Sequence, residues 1–204
     1  MIVGLDEAGR GPLAGPVITC ALYLKKEPDF VKLNKLPQPD SKNKALIHDS
    51  KTLSEKKRRQ AYKWLCDIDN AVFAVGKAEH TEIDELNILA ATMLAFNRAI
   101  RKLLSVNPYL QEAKFIVDGN IFRTNYDINY RCLKNADKLV ESVSCASIVA
   151  KVVRDSIMQV YHDRYPQWNF AKHKGYPTKE HCELLKEHKL SPIHRRTFKP
   201  CKDV

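Results

Sequence analysis

No stretch of this chain approaches the roughly 18 consecutive apolar residues that a membrane-crossing helix requires, which sets aside a helical membrane protein. The N-terminus also lacks a basic region followed by a hydrophobic one, so it carries no sign of a secretory leader. No CxxC pair occurs. The six cysteines, Cys20, Cys66, Cys132, Cys145, Cys182 and Cys201, are scattered, which argues against a structural zinc site. Nor is there an internal repeat or a low-complexity tract. These absences together lead to the expectation of a cytoplasmic protein with reduced thiols, several of them core fillers. His181 and His188 lie close to Cys182, but histidines on an exposed helix account for that grouping without a metal.

What the chain does have is enough apolar material for a core and an excess of positive charge. Of its 204 residues, 44% are hydrophobic, compatible with one medium domain and at odds with wholesale disorder. Lys and Arg number 34 against 24 Asp and Glu, a formal charge of +10. Such an excess favours a polyanionic partner, because each phosphate contact releases condensed counterions. A lysine-rich surface that only keeps the protein in solution has the same composition, so charge by itself decides nothing.

The periodicity alternates between strand and helix. Met1 to Leu5 and Val17 to Leu24 read as apolar, partly β-branched strands joined through a GRG turn. Residues 25 to 50 are polar and proline-containing, an irregular loop. A helix starts after Ser54 in SEKKRRQAYKWLCDI, with Ser at the cap. NAVFAVGKA (70–78) returns to strand. Thr81 to Asp84 offers a capping box ahead of a long helix in which Leu86, Leu89, Met93, Phe96, Ile100 and Leu103 recur at helical spacing. Lys114 to Val117 forms a short strand, Ala146 to Tyr161 a second long helix with Val149, Val153, Ile157 and Val160 on one stripe, and TKEHCELLKEH (178–188) a final helix. This order predicts an α/β class, with a mixed sheet flanked by helices and a helical C-terminal region.

Three acids stand where apolar strands end: Asp6 and Glu7 after IVGL, and Asp118 after KFIV. An ionised carboxylate there is costly unless something neutralises it. Converging carboxylates repel one another, and a divalent cation such as Mg²⁺, held by oxygen ligands, is one remedy. Taken one at a time, these acids also fit simple turns, since Asp-Gly is a common turn pair. Neighbouring strand residues point to opposite faces, so for Asp6 and Glu7 to share a site the strand must stop at about Asp6. The following AGRG permits this, because Gly9 and Gly11 tolerate conformations other residues avoid. The same glycines let backbone N–H groups approach a ligand, and Arg10 between them is a cation suited to phosphate.

DEAGRGPLAGPV (6–17) strongly resembles the N-terminal signature of ribonuclease HII, the type 2 ribonuclease H family. The resemblance continues in order through DSKTLSEKKR (49–58), IVDGN (116–120), SIVAKVVRD (147–155), KHKGYPTKEH (172–181) and SPIHRRTF (191–198), nearly the whole chain. It implies an RNase H-like fold: one catalytic domain over residues 1–204, with a sheet-containing core to about 140 and a helical C-terminal region from about 141. It implies a metal-dependent endonuclease that degrades the RNA strand of RNA–DNA hybrids. It also implies incision on the 5′ side of single ribonucleotides embedded in duplex DNA, as in ribonucleotide excision repair, leaving 3′-OH and 5′-phosphate ends. Two Mg²⁺ or Mn²⁺ ions are implied, held by four carboxylates that by motif position include Asp6, Glu7 and Asp118. The fourth falls in LKNADK, giving Asp137. Asp155 in VVRD competes for that role, although it follows Lys151 by four residues, a spacing that suits a local ion pair.

The resemblance also implies substrate-binding roles. Gly9, Arg10 and Gly11 match the element that recognises the ribonucleotide 2′-OH and adjacent phosphate, and Tyr176 the tyrosine that packs on the sugar at the RNA–DNA junction. Ser50, Lys51, Lys172 and Lys174 are expected at backbone phosphates, although a solvated face explains the lysines as well. The partner is then hybrid or ribonucleotide-containing duplex, with no membrane, and the protein a monomer. Two readings from outside this family member remain: a nucleic-acid-binding protein with a silent site, which would bind without cutting, and ribonuclease HIII, which carries an added N-terminal substrate-binding domain. Three departures stand out: Asn135–Ala136 before the fourth acid, a longer polar segment over 25 to 48, and Cys145 and Val149 in the long helix.

Overall fold

The computed structural model describes residues 1–25 and 53–204; Ser50 and Lys51 lie outside the described residues. Two β-branched segments open the fold, β1 (Ile2–Ala8) and β2 (Val17–Leu24), and pair antiparallel. Asp6 stands opposite Cys20, Glu7 opposite Thr19 and Ala8 opposite Ile18. β1 therefore does not stop at Asp6, as the sequence led us to expect; the ladder carries it two residues further, and Asp6 and Glu7 leave it on opposite faces.

β3 (Ala71–Ala78) pairs antiparallel with β2, and β4 (Lys114–Asp118) runs parallel to β1. A fifth strand, β5 (Asn129–Leu133), pairs parallel with β4 and closes the order β3-β2-β1-β4-β5. The periodicity did not predict β5. Its sequence, NYRCL, is half exposed at a sheet edge and carries little apolar signal.

Helix α1 (Glu55–Asp67) begins as read, the Ser54 hydroxyl accepting the Lys57 N–H. The single long helix expected after Thr81 is instead two, α2 (His80–Leu86) and α3 (Ile88–Val106). Asn87 breaks them, with φ at +69°, and its side chain caps α3 by accepting the Leu89 and Ala90 N–H groups. The capping box also shifts two residues, to Glu79 and Glu82, whose carboxylate accepts the Glu79 N–H. α4 (Glu141–Arg164) starts five residues before the expected Ala146. A short α5 (Phe170–His173) and α6 (Lys179–His188), capped by Thr178, complete the helices that matter here.

The alternation of strand side chains divides the core between α3 on one face of the sheet and α4 with α1 on the other. Val3, Leu5, Phe115 and Val117 face α3, packing with Phe96, Ala99, Ile100 and Leu103. Ile18, Cys20 and Leu22 of β2 face α4 and α1, meeting Cys145, Ile148, Val149, Ala61 and Leu65. α4 lies almost directly on β1: a Cβ on Gly4 would come within 2.2 Å of the Ser142 backbone. That contact explains the small residues at the start of α4 (Ser142, Ser144, Cys145, Ala146, Ser147), all buried. It also sets Ser147 beside Asp6. The stripe read as Val149, Val153, Ile157 and Val160 is only partly inward, for Val160 is 65% exposed and the buried set instead includes Arg154 and Asp155.

Candidate active site

Asp6 leaves β1 on the face that carries α4. On β4 the corresponding position, one step beyond the Leu5–Val117 pair, is Asp118. Two parallel strands thus deliver a carboxylate each at their C-terminal ends, on one side of the sheet. The third acid comes from a single 3₁₀ turn, Ala136–Lys138. The Ala136 N–H donates to Asp118 Oδ1 at 2.8 Å, which binds that turn to β4. Asn135 enters it with φ +56° and ψ +35°, a left-handed conformation that asparagine tolerates better than most side chains.

Ligand atoms of Asp6, Asp118 and Asp137 all lie within 4.8 Å of one another. Among the described residues no other group of His, Cys, Asp and Glu is so arranged. Asp6 and Asp137 are buried. Burial, then the Glu7 charge and the Asp118 charge, push Asp6 well above the usual carboxylate range, while a hydrogen bond with Ser147 pulls it back. The set is made only of hard oxygen donors, gathered at a distance where ionised carboxylates repel. That suits Mg²⁺ or Mn²⁺ and offers no soft ligand.

Glu7 is not in this group. Its N–H donates to Asp6 Oδ1 at 2.7 Å, and its carboxylate accepts from Arg10 Nη1 at 3.4 Å across the mouth of a cleft. That cleft, about 350 Å³, is lined by Glu7, Gly9, Arg10, Gly11, Arg58, Ser147, Lys151 and Tyr176 among others. Asp155 faces elsewhere: it is paired with Lys151 at 2.8 Å and lies 3.9 Å from Arg58. Its neighbours are cations, and Asp137 is the acid that joins Asp6 and Asp118.

Tyr176 is 39% exposed and stands beside the turn; a Cβ on Gly11 would meet its Cε1 at 3.9 Å. Lys151 Nζ lies 5.5 Å from its ring centre. Lys172 and Lys174 are not brought into the cleft. Lys172 pairs with Glu180 at 2.7 Å, and Lys174 ends α5 with φ at +52°. Gly9 needs its lack of a side chain, with φ at +102° and Arg154 Nε 2.2 Å from where a Cβ would stand. Gly11 has no such constraint.

Sequence reasoning missed what holds this turn. Arg154 and Arg195 are fully buried, and backbone carbonyls satisfy both. Arg154 donates to Ala14, Pro16 and Lys174; Arg195 donates to Gly9, Arg10 and Gly15. Neither role has a local signal, because each depends on a segment more than 130 residues away. Arg58 was visible only as a member of a charged run, and Lys151 only as the ion-pair partner of Asp155. His181, read as an exposed helix histidine, is buried in a chain of rings. Its Nδ1 donates to the Tyr176 carbonyl, its Nε2 accepts from His194, and it stacks on His173 at 4.2 Å. Every nitrogen in that chain is occupied by protein.

The chain is similar to known proteins over nearly its whole length. A model of the ribonuclease HII family matches residues 3–201. A curated ribonuclease HII from Shewanella baltica is 42% identical over 207 residues, covering 99% of this chain and 89% of the relative. The crystal structure of ribonuclease H2 from Pyrococcus horikoshii is similar with a TM-score of 0.69 at 26% identity, covering 99% of this chain and 95% of that one. The Bst-RNase HIII structure in complex with Mn²⁺ has the same TM-score at 19% identity, covering 98% of this chain and 68% of its own, a likeness of fold.

Proposed function

This chain belongs to the ribonuclease HII family, metal-dependent endonucleases that hydrolyse the RNA of RNA–DNA hybrids, and from that premise we propose that it also incises duplex DNA on the 5′ side of a single embedded ribonucleotide. The ends are a 3′-OH and a 5′-phosphate, and residues 1–204 act as one catalytic domain. The observation that carries the reading is the meeting of Asp6, Asp118 and Asp137 within 4.8 Å beside a cleft lined by the GRG turn and Tyr176.

Asp6, Asp118 and Asp137 would hold two divalent ions, Mg²⁺ or Mn²⁺, together with Glu7, which leaves β1 on the other face but lies close enough for its charge to act on Asp6. When bound, such ions activate water for in-line attack on the phosphate and stabilise the departing 3′-oxygen. The protein's own groups do the rest. Arg10, with Arg58 and Lys151, supplies positive charge to the phosphates. The backbone of Gly9 to Gly11 meets the ribose 2′-OH, the group that separates RNA from DNA. Tyr176 offers a flat, half-exposed ring to the neighbouring sugar, and the cations behind it hold that ring in place.

The test is a labelled DNA duplex with one ribonucleotide, incubated without metal, with Mg²⁺ and with Mn²⁺. A nick immediately 5′ of the ribonucleotide, dependent on either ion, is the expected result. An uncut duplex under both ions, where a continuous RNA–DNA hybrid is cut, sinks the single-ribonucleotide reading. Binding without any cleavage of either substrate sinks the catalytic one.

A further inference from the structure

In a trans peptide the C=O and the following N–H point to opposite sides of the chain. Arg195 Nη2 donates to the Gly9 carbonyl at 2.6 Å and Nη1 to the Arg10 carbonyl at 3.0 Å. The N–H groups of Arg10 and Gly11 belong to those same two peptides, so both point away from the guanidinium. Neither has a hydrogen-bond partner among the described residues. Arg195 lies wholly buried behind the turn, whereas Gly9, Arg10 and Gly11 line the cleft in front of it.

The charge behind the turn also lacks a direct ion-pair partner among the described residues, although Asp84 lies near enough to favour it. The nearby Asp84 instead accepts the Arg196 and Thr197 N–H groups and the Thr197 hydroxyl. Burial, and then the neighbouring Arg154, lower the guanidinium to about 9, which leaves it a cation at neutral pH. A cation that draws on two carbonyl oxygens polarises those peptides, and their positive ends then face the cleft. Consecutive N–H groups presented this way form an anion-binding nest.

We propose that Arg195 is a positioning residue: without touching substrate, it aims and polarises the Arg10 and Gly11 N–H groups as an oxygen-binding pair for the ribose 2′-oxygen and its adjoining phosphate. The inference rests on the assignment of the GRG turn to ribonucleotide recognition made above. Its own content is that the selectivity of the turn is set from behind, by a residue 185 positions away in the sequence. The role calls for arginine. Three carbonyls in different directions are met by a planar fork, and an ammonium group on a flexible stem cannot meet them all.

The experiment compares binding of metal-free protein to two duplexes of one sequence, with and without a single ribonucleotide, by fluorescence anisotropy. Wild type should prefer the ribonucleotide. Arg195→Lys and Arg195→Gln should lower that preference about tenfold, the scale of a lost charge-assisted hydrogen bond. Their affinity for the all-DNA duplex, set by surface cations, should stay within about twofold of wild type. A folded variant that keeps the wild-type preference overturns the inference. So does one that weakens on both duplexes in equal proportion, since that is loss of structure. A wild type without any preference overturns the reading of the turn beneath it. Should neither variant fold, amide NMR of the wild type decides. The Arg10 and Gly11 resonances should move more with the ribonucleotide duplex than with the all-DNA duplex, and equal movement overturns the inference.

Discussion

Asp6 sits where a carboxylate is hardest to keep ionised, buried against α4 with Glu7 and Asp118 beside it. Its presence lowers stability, and function is the reason to keep it. Asp6→Asn keeps the shape and removes the charge. The variant should lose at least about a hundredfold in kcat while binding duplex as before. Without metal it should melt higher than wild type by about 2–4 °C, a gain of roughly 1 kcal/mol at this size. Mn²⁺ should raise the wild-type melting temperature and leave that of the variant nearly unchanged; calorimetry with and without Mn²⁺ checks both. The two turn glycines separate in the same way. Gly9→Ala strains a backbone at φ +102° and collides with Arg154, so it should unfold more readily. Gly11→Ala meets only Tyr176 at 3.9 Å. It should melt within about 1 °C of wild type and yet cut the ribonucleotide-bearing duplex more slowly, because its methyl stands in the cleft. At this scale the sequence was legible where a residue's role is local: acids at strand ends, Gly9 at a turn, Asp155 in an i,i+4 pair. Arg154 and Arg195 were illegible, because an arginine bound only to distant carbonyls looks like any other charge in a basic chain.

Among elements, the α5–α6 segment, with the tail packed on it, should lose stability in acid. It presents Tyr176, and beneath it His173, His181 and His194 are locked as neutral rings. Burial, followed by the adjacent histidine, lowers His181 to about 4 and His194 to about 3, and His173 is lowered as well, by burial first. The unfolded chain takes up these protons from about pH 6.5 downward, whereas the folded chain refuses them. Their contribution to stability is therefore complete above about pH 6.5 and is lost as pH falls towards 4. The slope is at most about 1.4 kcal/mol per pH unit for each ring. Urea midpoints should fall from pH 7 to 6 to 5, and a flat profile would show the rings to be solvated. The packing of α4 on β1 gives a second check. Gly4→Ala drives a methyl into the Ser142 backbone and should cost about 3 kcal/mol in urea unfolding. The strands and α1 were readable because their apolar period and caps agree. β5, the break at Asn87 and the true inner face of α4 were not. An exposed edge strand has little pattern to find, an asparagine at positive φ interrupts a helix without interrupting its period, and small polar residues fill a close contact that apolar counting overlooks.

The whole molecule has a formal charge of +10, so salt should weaken its binding to a duplex. If only Arg10, Arg58 and Lys151 of the cleft touch phosphate, log K against log salt should slope by about −2.7, and a steeper line would count in lysines beyond the cleft. Titration between about 50 and 200 mM salt measures it. The fold class was within reach of the sequence because strand and helix signals alternate along it. The assembled site was not, since β1, β4, the turn at Asp137, α4 and the tail meet only in three dimensions. That dispersal has a consequence for synthesis. Arg195 grips Gly9 across 186 positions, so a chain not yet synthesised as far as Arg195 lacks the brace behind the turn that we propose reads the sugar. If the turn reads the sugar as proposed, discrimination between RNA and DNA waits on the docking of Arg195.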